Sequence, residues 1–246
     1  MAPFNKTIKK QKAKKFAMCI PCHAEDLSCI DQCLKSIKAQ EEAPDIVSMS
    51  VSSSTPETQA FLMKKKEEYD IPIHYTFTAE SKLPGANRNR AAAEAVRQGA
   101  THLSFFDVDD IMHPQRFKFI RRAFLKNNKL TGVVHGFEKG SKANPDMSVL
   151  NKPVKGTVYL NKIHPTSENN QEGIHFNTVI VDPNFVKKNP NNAFLHNGHS
   201  TVKSNFWRRF PFNEDLKTGE DGSFVFNILT KGVLGFMADP LTLYLR

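Results

Sequence analysis

A chain of 246 residues suits one α/β domain with a sizeable core, and 39% hydrophobic with 24% charged residues excludes a fibre, a repeat array or a disordered chain. No stretch approaches the roughly 20 apolar residues of a membrane-spanning helix, and the N-terminus lacks the apolar centre of a signal peptide, so a cytoplasmic protein is expected. The formal net charge of +9 lies partly in one run, Lys6, Lys9, Lys10, Lys12, Lys14 and Lys15.

Residues 1–15 therefore read as a basic flexible tail ahead of a single domain over 16–246. Its lysines could hold the chain peripherally at an anionic membrane surface, at about 1 kcal/mol each. No aromatics interleave with them, so nucleic acid is not an expected partner.

Phe16 to Ile20 is a continuous apolar run that predicts a buried first strand, stopped by Pro21. Leu27, Ile30, Leu34 and Ile37 recur at helical spacing and predict a helix over 27–39. Of four cysteines, Cys19 and Cys22 bracket Ile20-Pro21 at the end of the apolar run, and Cys29 and Cys33 lie one helical turn apart on the following segment. Their six-residue gap between pairs is shorter than zinc-ribbon or finger spacing, so burial against the sheet explains them better than a metal or redox role. A second strand over 46–51, a second helix over 56–69 and a third strand over 71–77 complete a β-α-β-α-β half.

Gly85-Ala86-Asn87-Arg88-Asn89-Arg90 predicts a glycine turn feeding a helix through Ala91-Ala92-Ala93-Glu94-Ala95 to near Gly99. The apolar strand 101–106 then delivers Asp107-Val108-Asp109-Asp110 at its carboxyl end, where open α/β sheets place ligands. Beyond Pro114 a helix turns Phe117, Ile120 and Phe124 inward. Residues 131–183 read as irregular and β-rich, with loops through about 218, then a helix over 220–230 and a strand over 234–237.

Asp107 and Asp109, one residue apart, can face one point if the strand ends in a tight turn. Two such carboxylates suit a hard cation, Mn²⁺ or Mg²⁺, which bridges to substrate phosphates and neutralises a leaving diphosphate. Acids clustered at a strand end repel one another unless a cation binds.

The blocks Gly85 to Ala91, Leu103 to Asp110 and Gly219-Glu220-Asp221-Gly222-Ser223, in that order and spacing, resemble the three signature blocks of family-2-like glycosyltransferases with the GT-A fold. The first strand with Ile20-Pro21-Cys22-His23 resembles that family's opening strand and nucleotide-contacting turn, and Leu241 to Arg246 its closing strand.

The resemblance implies a Rossmann-like, mostly parallel sheet with flanking helices and a smaller β-rich acceptor-side region. Residues 16–130 would form the nucleotide-sugar-binding half and 131–246 the acceptor and catalytic-base half. It implies an inverting glycosyltransferase that uses a nucleotide-diphosphate sugar, a UDP-sugar being favoured, and a glycan or glycoconjugate acceptor. Asp107 and Asp109 would hold the metal and diphosphate, with Asp110 on the ribose or sugar side. Arg88 and Asn89 would touch donor phosphate or sugar, beside Pro21, His23, Ser52 and Val108. Asp221 would be the base that takes the acceptor proton, with Glu220 beside it at the acceptor. The family's usual acid after the second strand is replaced by Ser52-Ser53-Ser54, whose hydroxyls could serve. No histidine follows Asp221, so His199 or His175 would stand in as metal ligand. Trp207, the only tryptophan, could stack on an acceptor sugar or pack in the core.

Two other functions fit parts of the pattern. A sugar nucleotidyltransferase also sets acids beside a nucleotide, but Pro21-Cys22-His23-Ala24-Glu25 lacks its glycine-rich phosphate loop. A catalytically idle glycan-binding module would not require both the acidic turn and Glu220-Asp221.

Overall fold

The structure, a computed structural model, describes residues 13–160, the strand backbone of 175–178 and residues 199–245. The lysines up to Lys12, the loops expected over 161–174 and 179–198, the side chain of His175 and Arg246 lie outside the described residues.

Strands β1 (Phe16–His23), β2 (Ile46–Ser52), β3 (Ile73–Phe77) and β4 (His102–Phe105) form a parallel block in the order β3-β2-β1-β4. The helices α1 (Ile30–Lys38), α2 (Pro56–Tyr69) and α3 (Pro84–Arg97) connect them. Alternation along β1 serves both faces of the sheet. Phe16, Met18, Ile20 and Cys22 join Leu34 and Phe124 on one side, while Ala17 and Cys19 join Ala91 and Phe105 on the other. All four cysteines are free thiols, and the sheet separates Cys19 from Cys22 and Cys33. Burial pushes the Cys22 thiol up to about 12, which keeps it a small apolar packer.

Pro21 does not stop β1, which runs on through it with Pro21 opposite Ser50 of β2. The odd-numbered residues here turn their backbone groups toward β4, as the bond from Phe106 N to Cys19 O shows at 3.1 Å. Pairing with β4 ends at Cys19, so the N–H that proline lacks falls where no partner strand remains. The helix expected from residue 27 begins at Ile30, because a 3₁₀ turn over Ala24–Cys29 precedes it. His23 caps that turn, its Nδ1 accepting from Glu25 N at 3.3 Å while Asp26 accepts from His23 N at 3.2 Å. Gly85 is not a turn residue but lies in the first turn of α3. A Cβ there would sit 2.4 Å from the carbonyl oxygen of Asn213, so glycine permits the close approach of two backbones.

The chain continues through β5 (Ile111–Met112), α4 (Arg116–Lys126), β6 (Gly132–Gly140), β7 (Thr157–Leu160) and β8 (His175–Thr178). β9 (Thr201–Lys203), α5 (Ser204–Arg209), α6 (Glu220–Lys231) and β10 (Leu234–Leu245) follow. The sheet order extends as β4-β9-β6-β10-β7-β8, with β9 antiparallel to both neighbours and β6 parallel to β10. The loops expected through 218 therefore contain a strand at mid-sheet, too short at three residues to leave a period in the sequence. β10 extends well past the expected 237, shifting register around Pro240 and ending beside β5. Among the described residues no helix is long and apolar enough to cross a membrane.

Candidate active site

A cleft of about 470 Å³ opens at the carboxyl ends of β1 and β4. Of the residues singled out in the sequence, Pro21, His23, Arg88, Asp107, Val108, Asp109, Glu220 and Asp221 line it. Ser52, Asn89, Asp110, His199 and Trp207 are not in its lining, whereas Asn87, Lys82, Lys217 and Tyr244, not anticipated, are.

Arg88, near the start of α3, joins the two sides. Its Nη2 donates to Asp107 Oδ1 at 2.6 Å and its Nη1 to Glu220 Oε1. Burial alone would pull the guanidinium down, but the carboxylates of Asp107, Glu220 and Asp221 outweigh it and the group is held above its ordinary value. The result is a permanently charged fork that fixes the end of β4 against the start of α6.

β4 ends at Phe105, and the chain then turns, with Asp110 N donating to Asp107 O at 3.3 Å. A turn closed from i to i+3 sets Asp107 beside Asp110 and sends Asp109 elsewhere. Asp109 meets Lys142 Nζ at 2.9 Å. Asp110 is wholly buried, one oxygen accepting from Leu245 N at 2.8 Å and the other 2.8 Å from His199 Nε2. Burial raises the Asp110 carboxyl, against the lowering effect of His199 and of Leu245 N. Asp107, Asp110 and His199 each bring one ligand atom within 4.8 Å of the others. Two carboxylate oxygens and an imidazole nitrogen are a donor set that fits Mn²⁺ or Mg²⁺. Of the set expected from the sequence, Asp107 and His199 belong to this group, Asp110 stands third in it, and Asp109 lines the cleft beside Asp107.

Asn89 does not face the cleft. Its Nδ2 donates to Phe212 O and to Glu214 Oε1, both at 2.9 Å. Its Oδ1 accepts from Trp207 Nε1 and from Phe212 N, both at 3.0 Å, so the amide is fully used in pinning residues 207–214. Trp207 is partly buried and packs against the core on the α3 and α6 face. Ser52 is buried and accepts from Asn87 Nδ2 at 2.9 Å, while Ser53 Oγ lies 2.7 Å from His23 Nε2.

Asp221 is partly exposed at the start of α6, and Gly219, with φ of 77°, turns the chain into that helix. One oxygen of Asp221 accepts from Gly222 N at 2.7 Å, and the side chain belongs to the cleft wall. A carboxylate so placed can take a proton from a hydroxyl entering the cleft.

Residues 18–181 match the family described as Glycosyl transferase family 2. No curated protein matches the chain. Among solved structures, Staphylococcus aureus TarS 1-349 superposes with a TM-score of 0.62 at 13% identity, covering 94% of this chain and 60% of that one. The same TarS fragment has been crystallised with UDP and with UDP-GlcNAc. The mannosyltransferase PcManGT of Pyrobaculum calidifontis, in complex with GDP-Man and Mn²⁺, gives 0.58 at 14% identity, covering 97% of this chain and 60% of that one. Glucosyl-3-phosphoglycerate synthase of Mycobacterium tuberculosis, with Mn²⁺, UDP and glucosyl-3-phosphoglycerate, gives 0.59 at 11% identity over 94% and 72%. The chain spans about three fifths of the TarS fragment and of PcManGT. These likenesses bear out the GT-A architecture that the signature blocks imply.

Proposed function

The chain belongs to glycosyl transferase family 2, and from that premise we propose that it is an inverting glycosyltransferase moving a sugar from a nucleotide-diphosphate donor to an acceptor hydroxyl. The observation that carries the proposal is the double grip of Arg88, which ties Asp107 on the donor side to Glu220, the neighbour of Asp221, across one cleft.

Asp221 takes the proton of the acceptor hydroxyl while that oxygen attacks the anomeric carbon, and the bond to the nucleoside diphosphate breaks on the opposite face. Asp107, Asp110 and His199 would hold a divalent cation, Mn²⁺ or Mg²⁺, which supplies Lewis-acid neutralisation of the leaving diphosphate. Arg88 orients Asp107 and adds positive charge behind the phosphates. Pro21, His23, Val108 and Asp109 line the donor end of the cleft, and Glu220 and Asp221 the acceptor end. The UDP, UDP-GlcNAc and GDP-Man found in the three likened proteins support a nucleotide sugar as donor, with a UDP-sugar favoured. The acceptor is a glycan or glycoconjugate, and the setting is the cytoplasm, with the basic tail available to a membrane surface.

Release of nucleoside diphosphate from UDP-GlcNAc, UDP-glucose and GDP-mannose, measured with Mn²⁺ and with chelator, tests this reading. Metal-dependent release from at least one donor is expected. Absence of both turnover and binding across a full panel of nucleotide sugars would overturn it.

A further inference from the structure

Arg116 has no part in the chemistry above, yet its placement is expensive. It opens α4, where the positive end of the helix dipole disfavours a cation, and it is wholly buried with no ion pair among the described residues. Burial pulls its guanidinium down to about 9. A buried charge without a carboxylate is a poor source of stability.

What it touches is specific. Nη2 donates to Phe105 O at 3.1 Å and to His199 O at 3.2 Å. Nε donates to His135 Nε2 at 2.9 Å, and the guanidinium lies 5.3 Å and 5.5 Å from the ring centres of Phe106 and Phe117. Where β4 meets the segment entering β9, the ladder closes with Phe105 N donating to Ser200 O at 2.9 Å. Beyond that bond the two strands part, and one nitrogen of Arg116 takes a carbonyl from each. Phe105 stands two residues before Asp107, and His199 is itself a member of the candidate cation corner.

His135 fixes the rotation of this fork. Arginine can only donate, so His135 Nε2 accepts, and the ring proton sits on Nδ1, which donates to Gly136 O at 2.9 Å. The ring is therefore neutral, and it lies parallel to that of His199, 3° between planes and 6.2 Å between centres.

We propose that Arg116 is a positioning residue for the corner of Asp107, Asp110 and His199: by holding the carbonyls of Phe105 and His199 from one nitrogen, it sets the separation of the two arms that would hold a divalent cation. This rests on the reading of that corner as the cation site. Position and charge predict opposite signs here. Deleting a buried positive group near a cation site would tighten cation binding through charge alone, whereas losing the brace loosens it.

The test is a Mn²⁺ titration of the full chain, with free Mn²⁺ followed by electron paramagnetic resonance, beside thermal melts without metal. Wild type binds Mn²⁺ and His199→Ala loses that binding. Arg116→Met, without donors, and Arg116→Lys, whose nitrogen lies one bond short of Nη2 and gives up the bond to His135 that fixes its direction, weaken it about 10–100-fold, the range expected when an outer-shell partner of a metal site is lost. His135→Leu keeps both carbonyl bonds available and weakens binding less. Folded Arg116 variants that bind Mn²⁺ as tightly as wild type, or more tightly, overturn the proposal and leave the cation site standing. Should neither Arg116 variant fold, unchanged affinity in His135→Leu overturns it. A wild type that does not bind Mn²⁺, or His199→Ala that binds it unchanged, overturns the reading of the corner and this proposal with it.

Discussion

The parallel block of β1 to β4 and the strip from His199 to Asp221 face each other across one cleft, but they are built on different terms. The block is regular: β1, β2 and β4 are buried on both faces, and the periodicity of the sequence finds its strands and helices. The strip is a three-residue strand, a short helix and a turn, held by side chains that reach over from the block. Asn89 pins residues 207–214, Arg88 grips Glu220, and Arg116 holds His199 by its carbonyl. The difference teaches that Asp107 follows directly from a strand of the regular block, while the setting of Asp221, the proposed base, depends on bonds that cross between the two regions.

The largest expected effect breaks the comparison on the strip side. Asp221→Asn should lower transfer by about 10²–10⁴-fold, the usual worth of a general base, with donor affinity retained in calorimetry. Donor affinity lost while bound donor still turns over would contradict the base assignment. The next effect lies in the link itself. Arg88→Met leaves Asp107 and Glu220 facing each other without their shared cation, so urea unfolding should show a loss of about 3–5 kcal/mol.

A smaller effect sharpens the same link from the backbone side. Gly85→Ala forces α3 off the carbonyl of Asn213 and should cost about 1–3 kcal/mol in the same measurement. The last effect belongs to the block alone and is nil at neutral pH, growing only as the pH falls. Burial lowers His102, stacked on Phe16, to about 3 from its ordinary 6.5. The unfolded chain then binds the proton first, so this contribution is complete above about pH 6.5 and is lost as the pH falls toward about 3. Urea midpoints should drop with acidity across that window, and His102→Gln should flatten the drop.

Legibility followed the same division. The alternation of β1, the acids after Phe105 and the helix of α3 were readable because burial on both faces leaves an uninterrupted apolar run. The pairing of acids was not. Asp107 and Asp109 look like partners in one dimension, but the turn closed by Asp110 N makes Asp107 and Asp110 neighbours and leaves Asp109 to Lys142. Arg88 and Asn89 are adjacent in sequence, yet successive helical residues point about 100° apart, so one enters the cleft and the other turns to Phe212. His199 could be named as a candidate but not placed, because β9 is too short for a periodic signal and its antiparallel insertion depends on contacts with β4 and β6. The weight carried by Arg116 could not be read at all, since a basic residue after Pro114 looks like an exposed first-turn side chain.

The central claim is that the corner of Asp107, Asp110 and His199 shares a cation with the diphosphate of a nucleotide sugar. Calorimetric binding of UDP to wild type and to Asp107→Asn, each with Mn²⁺ and with chelator, tests it most directly. UDP should bind wild type only when Mn²⁺ is present, and Asp107→Asn should bind it in neither condition. Equal binding of UDP with and without metal, unchanged by Asp107→Asn, would contradict the claim.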